Sequence, residues 1–377
     1  MLRAVDEVDG AGVYIRNLCD SLFKLDRHNR YVLFYRRKEQ AGRYAHLPNV
    51  QERVLAAPHK LLWDQIRVPL AAREERLDVL FHHKFSIPLI APCPTVVQQR
   101  GTEYWTMPET RDRFDNWYNT RTIPLYCKRA AQVLTNSDTL AEELNHWVGV
   151  PREKMRTVYA AADSRFRRID DPDTLAAVRR KYELPEDGFF LMVAKGYHRL
   201  GYTGGKLYDR KNITGTLRAH VSLRERIPEC PPLVIAGPGI AERLQAEAKT
   251  TPFDPASVFA PGFIDHGDMP AVYSLATAMV FASYSESFGI PLVEAMECGC
   301  PVITSDVGAC PEVVADAAVI VAPDDVDGIS RAMERLVVED GLAARLQERG
   351  LARAAEFSWE ESAKKLLGIL REAAHDS

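Results

Sequence analysis

Two glutamates, Glu286 and Glu294, stand with seven residues between them in "SESFGIPLVEAMECGCPVITSD", Ser285 to Asp306. The stretch reads as loop, helix, turn and strand. Pro291 suits the first helical position, where its missing N–H costs nothing. Leu292, Val293, Ala295 and Met296 give the helix an apolar body, and Gly299 stands where a left-handed C-cap belongs. Val302, Ile303 and Thr304 then form a buried strand. The backbone from Gly289 to Leu292 should present N–H groups at a positive helix end, which suits an anion such as phosphate. Acids beside an anion site repel the anion unless they face something else. Glu294 in the first turn, and Glu286 in the loop before it, are therefore placed to accept hydrogen bonds from hydroxyls. The implied ligand carries phosphate at its centre and hydroxyls on both sides.

Those residues need a scaffold, and the pattern of elements supplies one. In the first half, Gly12–Leu25 reads as a helix, with Ile15, Leu18, Leu22 and Leu25 on one face. "YVLFY" (Tyr31–Tyr35), "LDVLF" (Leu77–Phe81), "TVVQQ" (Thr95–Gln99) and "AQVLTNS" (Ala131–Ser137) are strands, and Ser137 or Asp138 caps a helix through Trp147. The second half restarts with "FFLMVA" (Phe189–Ala194). "PLVIAG" (Pro232–Gly237), "AMVFAS" (Ala278–Ser283), "PVITSD" (Pro301–Asp306) and "AVIVAP" (Ala318–Pro323) follow, separated by helices that include Thr214–Arg226, Ile240–Ala248 and Gly328–Val338. Apolar strands alternating with amphipathic helices predict α/β domains with parallel sheets covered on both faces. Ligands then bind at the carboxyl ends of the strands.

The chain has 377 residues, 46% hydrophobic and 27% charged, with a net charge of -4. This balance predicts about two globular domains and gives no nucleic-acid footprint. Seven scattered cysteines point to reduced thiols in a cytosolic setting. Cys298 and Cys300 lack a second ligand pair at metal spacing and read as small packed residues. No apolar run reaches the roughly 18–20 residues that span a bilayer, and "MLRAVDEVDG" lacks the apolar core of a signal peptide. The expectation is a cytoplasmic protein, compatible with peripheral contact at the inner membrane face.

Glu286 and Glu294 at this spacing resemble the E-x7-E motif of retaining GT-B glycosyltransferases of the family 4 (group 1) type. "GFIDHGDMPAVYSLATAMVFASYSESFGIPLVEAMECGCPVITSDVGACPEVVADAAVIVAPDD" follows that family's second domain nearly step for step. "DRKN" (Asp209–Asn212) resembles its Arg-Lys-Asn segment, "RAAQVLTNSDTLAEEL" its last first-domain helix, and "FSWEESAKKLLGILREA" its final crossover helix. The resemblance implies two Rossmann-like parallel-sheet domains facing a central cleft. Residues 1–165 with the helix at 358–377 would form the acceptor side, and residues 166–357 the nucleotide-sugar side.

The resemblance also implies roles. Glu294 should hold the ribose hydroxyls of a nucleotide, and Glu286 the hydroxyls of the transferred sugar. Ser287, Phe288, Gly289, Ile290 and Leu292 should hold the distal phosphate and sugar through their backbone. Arg210 and Lys211 should face the diphosphate, where a fixed cation stabilises the departing nucleoside diphosphate by ~3–4 kcal/mol. Gly10 and Gly12, in a tight loop before the first helix, and Gly237 in "GPG" should approach the ligand closely. Phe263 and Ile264 match a segment that contacts the base. On the acceptor side, Arg100 stands where the family often has histidine, and Tyr104 and Trp105 read either as a sugar-stacking platform or as packing. "LRAV" (Leu2–Val5) is a short, charged stand-in for the family's opening strand. Residues 195–212 form a long Gly- and Tyr-rich link that suggests a flap, with His198 a surface-loop residue. "RYVLFYRRKEQAGRYAH" mixes arginines and aromatics and reads as a solvated basic edge or as a site for anionic lipid.

The expected activity is transfer of a hexose, of glucose or mannose type, from a nucleoside-diphosphate sugar to an acceptor hydroxyl, with retention of configuration. The acceptor would be a sugar or a lipid-linked glycan, no metal or other cofactor would be required, and no nucleic acid would bind. The alternatives are a non-catalytic sugar-nucleotide binder and a nucleotide-sugar epimerase on the same scaffold. The first would bind donor without turnover, and the second would change donor without an acceptor.

Overall fold

A computed structural model describes residues 10–196 and 209–375. Contacts divide the chain into two compact units, one of residues 1–108, 113–160 and 358–377, the other of residues 109–112 and 161–357. The strand expected at Leu2–Val5, most of the link at 195–212 and His198 lie outside the described residues.

The first unit holds two parallel sheets. One pairs β1 (Tyr31–Tyr35) with β2 (Val50–Val54), in register from Tyr31 opposite Val50. The other runs in the order β3 (Leu80–His82), β4 (Thr95–Gln98), β5 (Gln132–Thr135) and β6 (Met155–Thr157). β4 is buried on both faces, as a central parallel strand requires. The helix Gly10–Leu25 and the final helix Trp359–His375 pack on each other, with Tyr14 and Trp359 edge to face at 5.3 Å. Ser362 Oγ donates to the Tyr159 carbonyl at 2.8 Å and fixes the last helix to the strand end. The helix after β5 opens as expected: Ser137 is its N-cap, and its hydroxyl accepts from the Leu140 amide.

The second unit is one six-stranded parallel sheet in the order β12 (Ala318–Val321), β11 (Val302–Ser305), β10 (Ala278–Phe281), β7 (Phe190–Val193), β8 (Leu233–Ala236), β9 (Val258–Gly262). The chain builds β7, β8 and β9 outward in one direction. It then returns to the other side of β7 to build β10, β11 and β12. The order therefore reverses between β7 and β10, which opens a crevice at their carboxyl ends. β8, β10 and β11 are buried along their whole length, which explains their uninterrupted apolar runs. Among the described residues no helix is long and apolar enough to cross a membrane.

Candidate active site

The loop that leaves β10 carries Glu286. Behind it, Gly289 takes the left-handed conformation (φ 85°) and the helix Ile290–Glu297 begins. A Cβ on Gly289 would stand 2.9 Å from Leu292 Cδ1, so glycine is required here by both backbone and space. The helix starts one residue earlier than the sequence suggests, with Pro291 second. The Leu292 amide bonds to the Gly289 carbonyl at 2.9 Å and so is already committed, against the expectation that it would face a phosphate. Phe288 and Leu292 are fully buried, Phe288 edge to face with Phe357 at 5.5 Å. Their side chains anchor the turn from inside, and Ser287 and Ile290 lie at the partly exposed surface.

Arg210 and Lys211 reach this loop from a second segment. Asp209 Oδ2 accepts from the Thr214 amide at 2.7 Å, and Asn212 Oδ1 from the Gly215 amide at 3.1 Å, so the two outer residues of "DRKN" cap the helix Ile213–Arg226. The two inner residues are thereby aimed away from the helix. The Arg210 carbonyl accepts from the Tyr284 amide at 2.9 Å, and Arg210 Nη1 donates to the Ser285 carbonyl at 3.0 Å. Arg210 Nη1 lies 3.1 Å from Glu286 Oε1, and Lys211 Nζ bonds to the same oxygen. The Lys211 ammonium also stands 4.0 Å from the centre of the Phe281 ring, at the end of β10.

Burial alone would raise the Glu286 carboxyl, but Lys211 and Arg210 outweigh it and hold it below its ordinary value. Burial lowers Lys211, with Glu286 opposing and Arg210 adding to the fall. The result is a partly buried three-charge cluster of one acid and two bases, with an excess positive charge at the carboxyl end of β10.

Glu294 has a different environment. It lies past the first turn of its helix, beyond the position read from the sequence, and only 7% of it is exposed. The Tyr273 hydroxyl donates to Glu294 Oε2 at 3.3 Å. Burial, helped by the nearby Asp163 and opposed by the Tyr273 hydrogen bond and by Arg165, pushes its carboxyl up to about 7. Neither glutamate is a solvated surface acid.

The remaining donor-side residues divide between close approach and core. Gly237 (φ 142°) follows β8, and a Cβ there would fall 1.7 Å from the Ala194 carbonyl oxygen. A Cβ on Gly196 would meet the Gly239 carbonyl at 1.9 Å, so "GPG" packs backbone to backbone on the segment after β7. Phe263 is 54% exposed and free to stack, whereas Ile264 is buried and belongs to the core.

In the first unit the glycine motif departs from expectation. Gly10 and Gly12 lie in the first turn of the helix Gly10–Leu25, not in a loop before it: the helix begins two residues before the start read from the sequence. Arg100 lies against this end: its Nη2 donates to the Gly10 carbonyl at 3.4 Å, and the guanidinium lies 5.1 Å over the Tyr14 ring. Tyr104 and Trp105 stand on the short helix Glu103–Thr106 and pack, half-buried, on the core around Ile87 and Ile123. Both keep part of their surface exposed.

Three supporting residues escaped the sequence reading. Gly308 (φ 56°) takes a conformation that places any Cβ 2.3 Å from the Glu286 carbonyl oxygen, and the next amide, of Ala309, donates to that oxygen at 3.0 Å. Tyr273 and Phe281 complete the settings of Glu294 and Lys211. The glycine was legible as a turn in "SDVG", but its partner 22 positions earlier was not. Cys298 and Cys300 are buried, and burial raises both thiols.

Comparison with known proteins bears on the family and the fold. Residues 201–353 match the family described as glycosyl transferases group 1, and residues 8–166 match glycosyltransferase family 4. The O-antigen chain mannosyltransferase B of Escherichia coli is 29% identical over 350 residues, 92% of this chain and 83% of that protein. The serotype-specific mannosyltransferase WbdA of Escherichia coli is 28% identical over 240 residues, and the matched region spans only 28% of its length. The structure of Anabaena HepE, solved in complex with UDP-glucose, superposes with a TM-score of 0.73 at 16% identity, covering 97% of each chain, and shares the GT-B fold. The chain is a glycosyltransferase of the group 1, family 4 type with the GT-B fold.

Proposed function

We propose that the protein transfers a hexose, of mannose or glucose type, from a nucleoside-diphosphate sugar to an acceptor hydroxyl, with retention of configuration. The observation that carries this reading is the cluster at the β7/β10 crevice, where Arg210 and Lys211 converge on Glu286. When the sugar–phosphate bond breaks, one further negative charge develops on the leaving diphosphate. A preorganised, partly buried cation pair stabilises it, which is the task often given to a metal ion. A diphosphate at Lys211 competes with Glu286 for the ammonium, and the acid is then available to the hydroxyls of the transferred sugar. Glu294 accepts from the ribose hydroxyls as a carboxylate, and Phe263 stacks on the base. A phosphate oxygen of the donor takes the acceptor proton, which requires no side-chain base.

The mannosyltransferase relatives and the UDP-glucose bound to HepE support a nucleotide sugar as donor and a glycan hydroxyl as acceptor. A lipid-linked glycan, reached from a peripheral contact with the inner membrane face, fits the same chemistry. The test is incubation with UDP-, GDP- and ADP-hexoses in the presence of a chelator, with an oligosaccharide acceptor, and analysis of the product by NMR. Release of nucleoside diphosphate with an unchanged anomeric configuration supports the reading. Anomeric inversion, or epimerised donor without an acceptor product, overturns it.

A further inference from the structure

Asp209 and Arg210 are neighbours in the chain but belong to two charge clusters of opposite sign. Arg210 is one of two bases around one acid, Glu286. Asp209 is one of two acids around one base. That base is Arg243, on the helix Ile240–Glu247 that follows "GPG". Its Nη2 donates to Thr214 Oγ1 at 2.9 Å, and lies 2.6 Å from Glu247 Oε1 and 3.5 Å from Asp209 Oδ2. Thr214 Oγ1 in turn donates to Glu247 Oε1 at 2.8 Å, and the Thr214 amide donates to Asp209 Oδ2 at 2.7 Å. The Arg243 side chain is only 5% exposed, so one enclosed nitrogen ties three oxygens together.

A buried arginine is costly unless its charge is matched, and here two carboxylates match it. The dependence runs the other way as well. Without Arg243, Asp209 would keep its helix-capping bond but lose its counter-ion, one residue from Arg210. An acid so placed attracts the nearest base, and it would compete with Glu286 for Arg210 or Lys211. Arg218, the first base on the helix Ile213–Arg226, is engaged with Thr251 at 3.2 Å. A lysine at position 243 would be a poor substitute, because its shorter stem and single ammonium do not reproduce the reach of a planar guanidinium. The network also joins the segment that follows β7 to the helix that follows β8, two elements that flank the crevice.

We propose that Arg243 is a positioning residue for transfer. It holds Asp209 apart from Arg210 and Lys211, and so leaves both bases to Glu286 and to the incoming diphosphate. This rests on the transfer reading above, and it requires no contact between Arg243 and the donor.

The test is the release of nucleoside diphosphate from UDP-, GDP- and ADP-hexoses with an oligosaccharide acceptor, measured beside the thermal midpoint of each variant. Arg243→Lys should lower kcat roughly 10–10²-fold, the cost of displacing a charged group by about an ångström. The donor KM should change by less than about threefold, because the loss falls on the transition state. Adding Asp209→Asn to Arg243→Lys removes the acid that was set free, and should recover kcat about fivefold or more. Thr214→Val is isosteric and keeps every charge and the capping amide, so it tests the same link if Arg243→Lys melts early. It should lower kcat about three- to tenfold. Wild-type kcat in both Arg243→Lys and Thr214→Val overturns the proposal. So does a loss of kcat that Asp209→Asn does not relieve, which would make Arg243 structural alone. Lys211→Ala in the same assay separates the two readings. If it is slow while the Arg243 and Thr214 variants are not, only this inference fails. If it turns over at the wild-type rate, or wild type releases no diphosphate, the transfer reading fails and this inference with it.

Discussion

Lys211 is held between the Glu286 carboxylate and the face of the Phe281 ring, so its ammonium has a fixed position at the end of β10. Arg210 shares the same carboxylate oxygen. The consequence is testable at one atom. Lys211→Ala removes the nearer cation and leaves Arg210 to pair with Glu286, so the fold should survive with a modest loss of stability. Turnover should fall roughly 10²–10³-fold, corresponding to ~3–4 kcal/mol of transition-state stabilisation. The KM for donor should change less than kcat. Circular dichroism and steady-state kinetics on the same preparation separate the two effects.

Glu294 predicts a pH dependence of nucleotide affinity. Its carboxyl is pushed up to about 7, mainly by burial, and ribose hydroxyls require the carboxylate form. Affinity should therefore fall as pH drops below about 7, approaching tenfold per pH unit well below it. Calorimetric titration across this range measures it, and Glu294→Gln should flatten the profile at the weak end.

The two glutamates should act on stability with opposite signs. The folded-state pKa of Glu294 is raised, so its carboxyl binds more protons folded than unfolded between the ordinary glutamate value and about 7. Its contribution is full below the ordinary value and is lost as pH rises toward about 7. Glu286 is depressed, after its burial is outweighed by Lys211 and Arg210. Its contribution is present above the ordinary value and is lost as pH falls through its lowered one. Thermal midpoints of Glu294→Gln should exceed wild type above about pH 7, and those of Glu286→Gln should fall below wild type there.

Gly308 predicts a positioning effect. Alanine there must adopt φ near 56° and displace the Glu286 carbonyl, which lies 2.3 Å from the added Cβ. The strain of ~1–2 kcal/mol should lower the thermal midpoint slightly. The larger effect should be on kcat, because the loop that carries Glu286 moves. Unchanged kcat with the same small stability loss would make Gly308 purely structural.

Phe263 and Ile264 are neighbours with separate predictions. Phe263→Ala should weaken nucleotide binding about five- to thirtyfold, the worth of one stacked ring, with little change in melting. Ile264→Ala should lower stability by ~2–4 kcal/mol as a buried large-to-small change and affect binding less. Parallel thermal-shift and binding curves distinguish them.

The sequence revealed most of what periodicity and local chemistry can encode. In the second unit β8, β10 and β11 are uninterrupted apolar runs because they are buried on both sides, and β7, β8, β10, β11 and β12 were legible within a residue or two of their ends, whereas the half-buried β9 went unread. Glu286 with Glu294, and Arg210 with Lys211, stand out as two motifs of local spacing, but the convergence of the two bases on Glu286, 75 and 76 positions away, does not. What escaped was long-range or geometric. Glu294 reads as a hydroxyl acceptor in a first turn, but its burial and its bond from Tyr273, on another helix, are not visible in the sequence. Gly308 is only a turn residue until Glu286 is folded against it. The helical run at 60–74 went unread because its exposed side mixes apolar residues with charged ones, so no single stripe stands out. Gly10 and Gly12 were read as a loop because glycines disfavour helices, yet the helix extends through both.

The central claim is that the Arg210–Lys211 pair carries the charge of a departing nucleoside diphosphate. The most direct measurement is the rate of nucleoside diphosphate release from UDP-, GDP- and ADP-hexoses by the wild-type chain and by Lys211→Ala, in chelator and at saturating donor. The account predicts release from one of the three nucleotide classes by wild type, and a rate lower by roughly 10²–10³-fold in the variant. Release by the variant at the wild-type rate would contradict it.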